Sequence, residues 1–168
     1  MNTVIKGAAG SPGERDARTA STSSARTAPI VAGVDSSAAS RVAIDMAVRL
    51  GSDLGAPVVF VHVRRGPAGF LGTPGYQRRL TKEMTHARHV LDHALAIATR
   101  AGVPAEGEIL EGAPQRRIAE FARDRSAQVV VVGSRKWRFG RSVSSGVQRA
   151  SQRPVVVARG VQRPAMAS

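Results

Sequence analysis

The sequence predicts an α/β protein, a single doubly wound domain whose five-stranded parallel sheet carries helices on both faces. Three observations lead there. Short β-branched runs recur along the chain, separated by segments with helical periodicity. Consecutive strands joined through helices form βαβ crossovers, which make the sheet parallel. The runs are nearly continuously apolar, as strands covered on both faces require. A chain of 168 residues, 42% of them hydrophobic, has the length and composition of one ordinary globular domain.

The first run is Ile30-Val31-Ala32-Gly33-Val34, ended by the helix-starting cluster Asp35-Ser36-Ser37. Ala39, Val42, Ala43, Met46, Ala47 and Leu50 then repeat at amphipathic-helix spacing, with an expected stop near Gly51 or Gly55. Val58 to Val63 is the second strand, and the Gly/Pro-rich stretch from Arg64 to Gly75 reads as a loop. Leu80, Met84, Ala87, Leu91, Ala94, Leu95 and Ala98 form a second helical stripe, closed by Gly102 and followed by a strand from Pro104 to Leu110. Pro114 suits a first helical position, with Ile118, Ala119, Phe121 and Ala122 behind it. Val129 to Val132 reads as a buried central strand, Ser142 to Gln152 as a last helix and Val155 to Val157 as a last strand. The expected strands span residues 29–34, 57–63, 104–110, 128–133 and 154–158. Residues 1–28, rich in Gly, Ser, Thr and Ala without apolar periodicity, read as a disordered tail. The domain then occupies 29–160, and 161–168 form a flexible C-terminal tail.

Composition excludes several classes of function. With no cysteine, disulfide frameworks, thiolate metal sites and cysteine nucleophiles are ruled out. No window approaches the roughly 18 consecutive apolar residues of a membrane span, and the N-terminus lacks a signal-peptide core, so a cytoplasmic location is expected. Lys and Arg number 25 against 12 acids, a formal net charge of +13, which favours anionic partners. The bases concentrate after Asp124, where no acid follows.

Ligands of doubly wound sheets bind outside the carboxyl ends of strands where the strand order reverses, which directs attention to the loops after Val34 and Val132. Gly133 to Ser142 is a cationic loop running from a buried strand into a helix, with Arg135, Lys136, Arg138 and Arg141 on it. A helix start with a hydroxyl and four bases suits a phosphate. The same residues also fit a solvated turn in which Gly133 ends a strand and Ser142 caps a helix. Trp137 and Phe139 alternate with the bases, a pattern also found on single-stranded nucleic-acid platforms. Asp35 can be a helix N-cap or a ligand contact. His86, His89 and His93 fall opposite the apolar stripe of their helix and read as a solvated face rather than a metal site; His62, inside an apolar strand, reads as a buried, hydrogen-bonded histidine. Catalysis lacks support, because Ser144-Ser145-Gly146 is not a nucleophile elbow and no motif assembles a triad.

Ile30-Val31-Ala32-Gly33-Val34-Asp35-Ser36-Ser37, Val61-His62-Val63, Val130-Val131-Val132-Gly133-Ser134-Arg135 and Pro154-Val155-Val156-Val157-Ala158 resemble the universal stress protein family over essentially residues 29–160. The resemblance implies a Rossmann-like domain with strand order 3-2-1-4-5 that pairs as a homodimer through its last strand. It also implies ATP binding, with Val34, Asp35 and Val63 at the nucleoside and a phosphate loop running from Gly133 to Ser142 and Val143. That loop departs from the family pattern of Gly, two residues, Gly, nine residues, Gly, then Ser or Thr. Lys136 stands at the second glycine, Arg141 at the third with Gly140 one place early, and the loop is about five residues short. Both substitutions remove backbone freedom near a pyrophosphate and add charge in its place.

The sequence thus points to a non-catalytic stress-response protein that binds ATP, another adenine nucleotide or a phosphate anion, with no metal beyond one carried by the nucleotide. Val34, Asp35, Val63, Gly133, Arg135, Lys136, Gly140, Arg141, Ser142 and Val143 are its candidate binding residues. The alternative is a nucleotide-independent interaction protein whose basic loop docks an acidic partner. Nucleic-acid binding ranks third, since no recognised motif supports it. A homodimer is expected because an uncovered apolar edge at Val155 to Val157 invites pairing.

Overall fold

The structure, a computed structural model, describes residues 3–5, 27–66, 74–134 and 142–159. In chain order the elements are β1 (Thr3–Ile5), β2 (Ile30–Gly33), α1 (Ala38–Leu54), β3 (Val58–Arg64), α2 (Pro74–Arg100), β4 (Ala105–Glu111), α3 (Pro114–Asp124), β5 (Val129–Gly133), α4 (Val143–Ala150) and β6 (Val155–Ala158). They build one sheet in the order β1-β4-β3-β2-β5-β6. All pairings among β2 to β6 are parallel. Counted from β2, the order is the expected 3-2-1-4-5.

The N-terminal segment departs from expectation. Thr3–Ile5 lies within the stretch read as a disordered tail, yet it pairs antiparallel with the outer edge of β4, placing Val4 opposite Glu108. Thr, Val and Ile are all strand-favouring, and an edge strand offers unpaired N–H and C=O groups for them to meet. Three residues among Gly, Ser and Ala are too few to show a period. Residues 6–26 and the tail expected at 161–168 lie outside the described residues.

Helix ends follow local chemistry. Ser37 caps α1, its hydroxyl accepting from the Ser40 N–H, and Gly55 closes it in the left-handed region at φ 59°. Of the two stops the sequence offered, Gly55 is the one used, because it can adopt positive φ without a Cβ penalty. α2 starts at Pro74, six residues ahead of the first apolar position Leu80, so the loop ends earlier than its composition suggested. Proline suits that first turn, where its missing N–H is not needed.

Two apolar clusters sandwich the sheet. Ile30, Ala32, Val58 and Phe60 face α1 and α2, packing on Ile44, Ala47, Leu91 and Ala94. Val31, Val59, Val61, Val130 and Val132 point the other way, toward Ile118, Phe121 and Ala122 of α3 and Val147 of α4. This is the two-residue period of a strand read out on both faces, and it explains why the runs look uniformly apolar. Among the described residues no helix is long and apolar enough to cross a membrane.

Candidate functional site

The strand order reverses between β2 and β5, and a cleft of about 490 Å3 opens there at the carboxyl ends of β2, β3 and β5. Its volume lies within the range of about 300–1,000 Å3 usual for small-molecule sites. Three helices begin at its rim, α1, α3 and α4, so N-terminal helix dipoles converge on one space. Ser37 and Ser40 line it from α1, Pro114, Gln115 and Ile118 from α3, and Ser142, Val143 and Ser144 from α4. At α3 the cap residue, Ala113, gives no side-chain hydrogen bond. First-turn N–H groups of a helix have no intrahelical acceptor, which suits them to a bound anion or water.

The loop after β2 is tightly tied. Asp35 Oδ1 accepts from the Ser37 N–H at 2.8 Å, and the Asp35 N–H donates to Ser40 Oγ at 2.9 Å. The N-cap of α1 is therefore Ser37, not Asp35, and Asp35 forms the Asx turn that leads into it. At α4 the capping expectation holds. Ser142 Oγ accepts from the Ser145 N–H at 3.2 Å and lies 3.0 Å from both Ser144 Oγ and Ser145 Oγ. Ser142 thus caps its helix and lines the cleft at once.

Of the residues singled out in the sequence, Val34, Asp35, Val63, Gly133, Ser142 and Val143 all line this cleft. Arg135, Lys136, Gly140 and Arg141 lie outside the described residues. Gly133 has a packing duty as well, since a Cβ there would lie 2.4 Å from the Ala39 carbonyl oxygen. Sequence reading missed Arg65, Ser40, Gln115, Ile118 and Ser144 as lining residues. Ser40 and Ser144 follow their caps by a single turn or less, so the caps themselves pointed to them. Arg65 sat inside a presumed loop, and Gln115 reaches the site only through the tertiary packing of α3.

Beside the cleft is a smaller hollow of about 150 Å3 between α1 and α2, lined by Arg41, Ile44, His86, His89, Val90 and His93, with Asp35, Ser36 and Ser37 as its wall to the main cleft. The three histidines are exposed, as their position opposite the apolar stripe implied. Among the described residues no group of three His, Cys, Asp or Glu side chains is placed to hold a metal ion. His62 is 8% exposed, and its Nδ1 lies 3.0 Å from the Val34 carbonyl oxygen, to which it donates as the Nδ1–H tautomer. Burial holds the His62 imidazole below its ordinary pKa, opposed in part by the Val34 hydrogen bond. A histidine that resists protonation only when folded makes acid destabilising. Its contribution is complete above the unfolded value of 6.5 and is lost as pH falls through the lower folded value. Urea unfolding between pH 5 and 8 is expected to show wild type losing stability toward pH 5 relative to His62→Gln; parallel profiles would contradict this.

The fold defines a Rossmann-like α/β protein with a cleft at its topological switch point. The chain belongs to the universal stress protein family, whose model matches residues 27–159. It is 34% identical over 137 residues to the universal stress protein Rv2623 of Mycobacterium tuberculosis, an alignment covering 76% of this chain and 46% of that protein. The chain therefore spans about half the length of the curated relatives it matches. A universal stress protein of Archaeoglobus fulgidus, solved in complex with dAMP, is 26% identical with a TM-score of 0.64 and covers 79% of this chain and 98% of its own. The universal stress protein UspA of Lactobacillus plantarum, 23% identical, matches with a TM-score of 0.68 over 80% of this chain and 99% of its own, a likeness of fold.

Proposed function

We propose that the chain is a non-catalytic, ligand-holding stress protein that binds an adenine nucleotide in the cleft at the ends of β2, β3 and β5. The observation that carries this reading is the convergence of three helix starts on a cleft whose walls include Val34, Asp35, Val63, Gly133, Ser142 and Val143. The Archaeoglobus fulgidus relative held with dAMP supports the choice of an adenine nucleotide. The nucleoside lies along Val34, Asp35 and Val63, whose positions offer an apolar wall and a carboxylate for ribose hydroxyls. The phosphates point to the start of α4, where the helix dipole favours negative charge. Arg65, on the cleft lining just past the end of β3, adds a cation.

Calorimetric titration of AMP and ATP tests the reading. Asp35→Ala is expected to weaken both by about tenfold, the equivalent of one charge-assisted hydrogen bond of about 1.4 kcal/mol. Unchanged affinity would remove Asp35 from the site. If Lys136 and Arg141 replace the family's glycines with charge, ATP affinity falls steeply with added salt, and Lys136→Gly/Arg141→Gly binds more weakly than wild type. Tighter binding by that variant means the bases obstruct the cleft. No binding of either nucleotide by either protein would favour docking of an acidic partner instead.

We propose in addition that two copies pair through β6. Among the described strands β6 has a neighbour on one side only, β5, and Val155, Val156 and Val157 are half-buried. Light scattering at micromolar concentration is expected to give twice the chain mass, and Val156→Lys to reduce it while circular dichroism stays native. A monomeric wild type would refute the pairing.

A further inference from the structure

α4 carries a glycine that its own backbone does not require. Gly146 lies inside the helix Val143–Ala150, and its φ is not in the left-handed region. A helix-interior glycine is destabilising relative to alanine, because it loses more conformational freedom on folding. What requires it is a neighbour. A Cβ at position 146 would stand 2.2 Å from Cγ of Gln115, 2.9 Å from its Cβ and 3.3 Å from its Cδ. The Gln115 side chain of α3 therefore lies in the space that any other residue at 146 would fill. Close packing of two helices explains a small residue at such a contact, but not a polar one opposite it. An aliphatic chain of the same length would fill the gap without carrying an amide.

Gln115 is half-buried and lines the cleft. Among the described residues its side-chain amide has no hydrogen-bond partner. Its place on α4 follows from the helix itself. Gly146 comes one turn after the cap Ser142, its N–H donating to the Ser142 carbonyl at 3.1 Å, so the two positions share a face. Ser142 borders the cleft from that helix. The Gln115 stem thus rests on the α4 wall, below the helix start given to the phosphates, rather than on the β2 and β3 wall given to the nucleoside.

We propose that Gln115 is a specificity residue of the cleft: its amide N–H donates to the phosphate next to the ribose and selects a phosphorylated nucleoside over the free one. The inference rests on the cleft being the adenine-nucleotide site. Gly146 makes the room that lets the side chain lie there. The amide is neutral and partly shielded, so it acts by hydrogen bonding, and its contribution depends less on salt than that of the exposed Arg65 on the same lining.

Two variants separate this role from packing. Gln115→Met keeps the length of the chain against Gly146 and removes the donor. Gln115→Glu keeps the shape and puts a negative charge in its place. AMP and adenosine are titrated by calorimetry at pH 8 against wild type and both variants, with circular dichroism and urea midpoints checking the fold. Gln115→Met is expected to weaken AMP about tenfold, the loss of one hydrogen bond to a charged group, and to leave adenosine within about twofold. Gln115→Glu is expected to weaken AMP further while again sparing adenosine. Unchanged AMP affinity in Gln115→Met overturns the proposal, and so does an equal loss of AMP and adenosine, which puts the side chain at the nucleoside or in packing alone. If Gln115→Met does not fold, Gln115→Glu decides by the same comparison. Binding of neither compound by wild type overturns this proposal together with the nucleotide reading, whereas AMP binding that both variants leave intact overturns the role of Gln115 alone.

Discussion

Gly133→Val is expected to cost about 3 kcal/mol or more of folding stability, at or beyond the upper end of overpacking effects in cores. The reason is geometric. A Cβ at Gly133 would sit 2.4 Å from the carbonyl oxygen of Ala39 and 2.5 Å from its carbonyl carbon. Those are backbone atoms of the first turn of α1, and they cannot turn aside as a flexible side chain would. Relief requires α1 to lift from β5, which opens the cleft at the helix start carrying Ser37 and Ser40. Gly133→Ala is expected to lose less, because one methyl needs a smaller displacement than a branched side chain. Urea unfolding by circular dichroism measures both. A valine variant within 1 kcal/mol of wild type would mean that α1 can shift freely, and would leave nucleotide approach as the sole reason for glycine here.

Arg125→Ala is expected to destabilise the protein at pH 8 by about 3 kcal/mol, the lower end of what breaking a buried ion pair costs. Glu108 is 2% exposed on β4, and its Oε1 accepts from Arg125 Nη2 at 3.0 Å. Burial pushes the Glu108 carboxyl up, and the Arg125 charge and hydrogen bond pull it partly back. Arg125 also pairs with Glu106 at 2.7 Å and stacks over Phe121 at 5.1 Å. Its side chain is 39% exposed, and water screening from that side keeps the cost at the low end. Without Arg125 the buried carboxylate can escape only by taking up a proton. A raised folded pKa gives stability that is complete below the unfolded value and is lost as pH rises through the folded one. The Arg125→Ala deficit should therefore shrink toward pH 5, and Glu108→Gln added to it should restore most of the loss at pH 8. A deficit equal at both pH values would assign the effect to the Phe121 stack and the Glu106 pair.

These two substitutions mark where sequence reading stops. Glycine at 133 was legible as a strand end and as the first position of a family motif, but the Ala39 carbonyl that forbids a side chain comes from α1, nearly a hundred residues earlier. Glu108 is polar within a segment read as a strand, and nothing near it in sequence announces Arg125 as its partner, because the pair forms across the packing of α3 on β4. The segment Thr3–Ile5 was missed for a related reason. Its strand exists through an edge that β4 supplies, and no local period of three residues could show it.

By itself the sequence determined the five parallel strands and their helices, because apolar periodicity and proline and glycine placement act within a few residues of one another. It also determined the strand ends from which a site must grow: Val34, Asp35, Val63, Gly133, Ser142 and Val143 were all nameable from local pattern and family resemblance. Only the tertiary structure decided that these residues share one cleft and that Arg65, Gln115 and Ile118 complete it. It also decided that Ser37, rather than Asp35, caps α1, and that the partner of His62 is the carbonyl of Val34 beside the cleft. Each of those facts depends on groups far apart in the chain meeting at hydrogen-bond or van der Waals distance. Such meetings are fixed by how α1, α2 and α3 pack on the sheet, and their energies depend on burial that no single segment possesses until the others have closed over it.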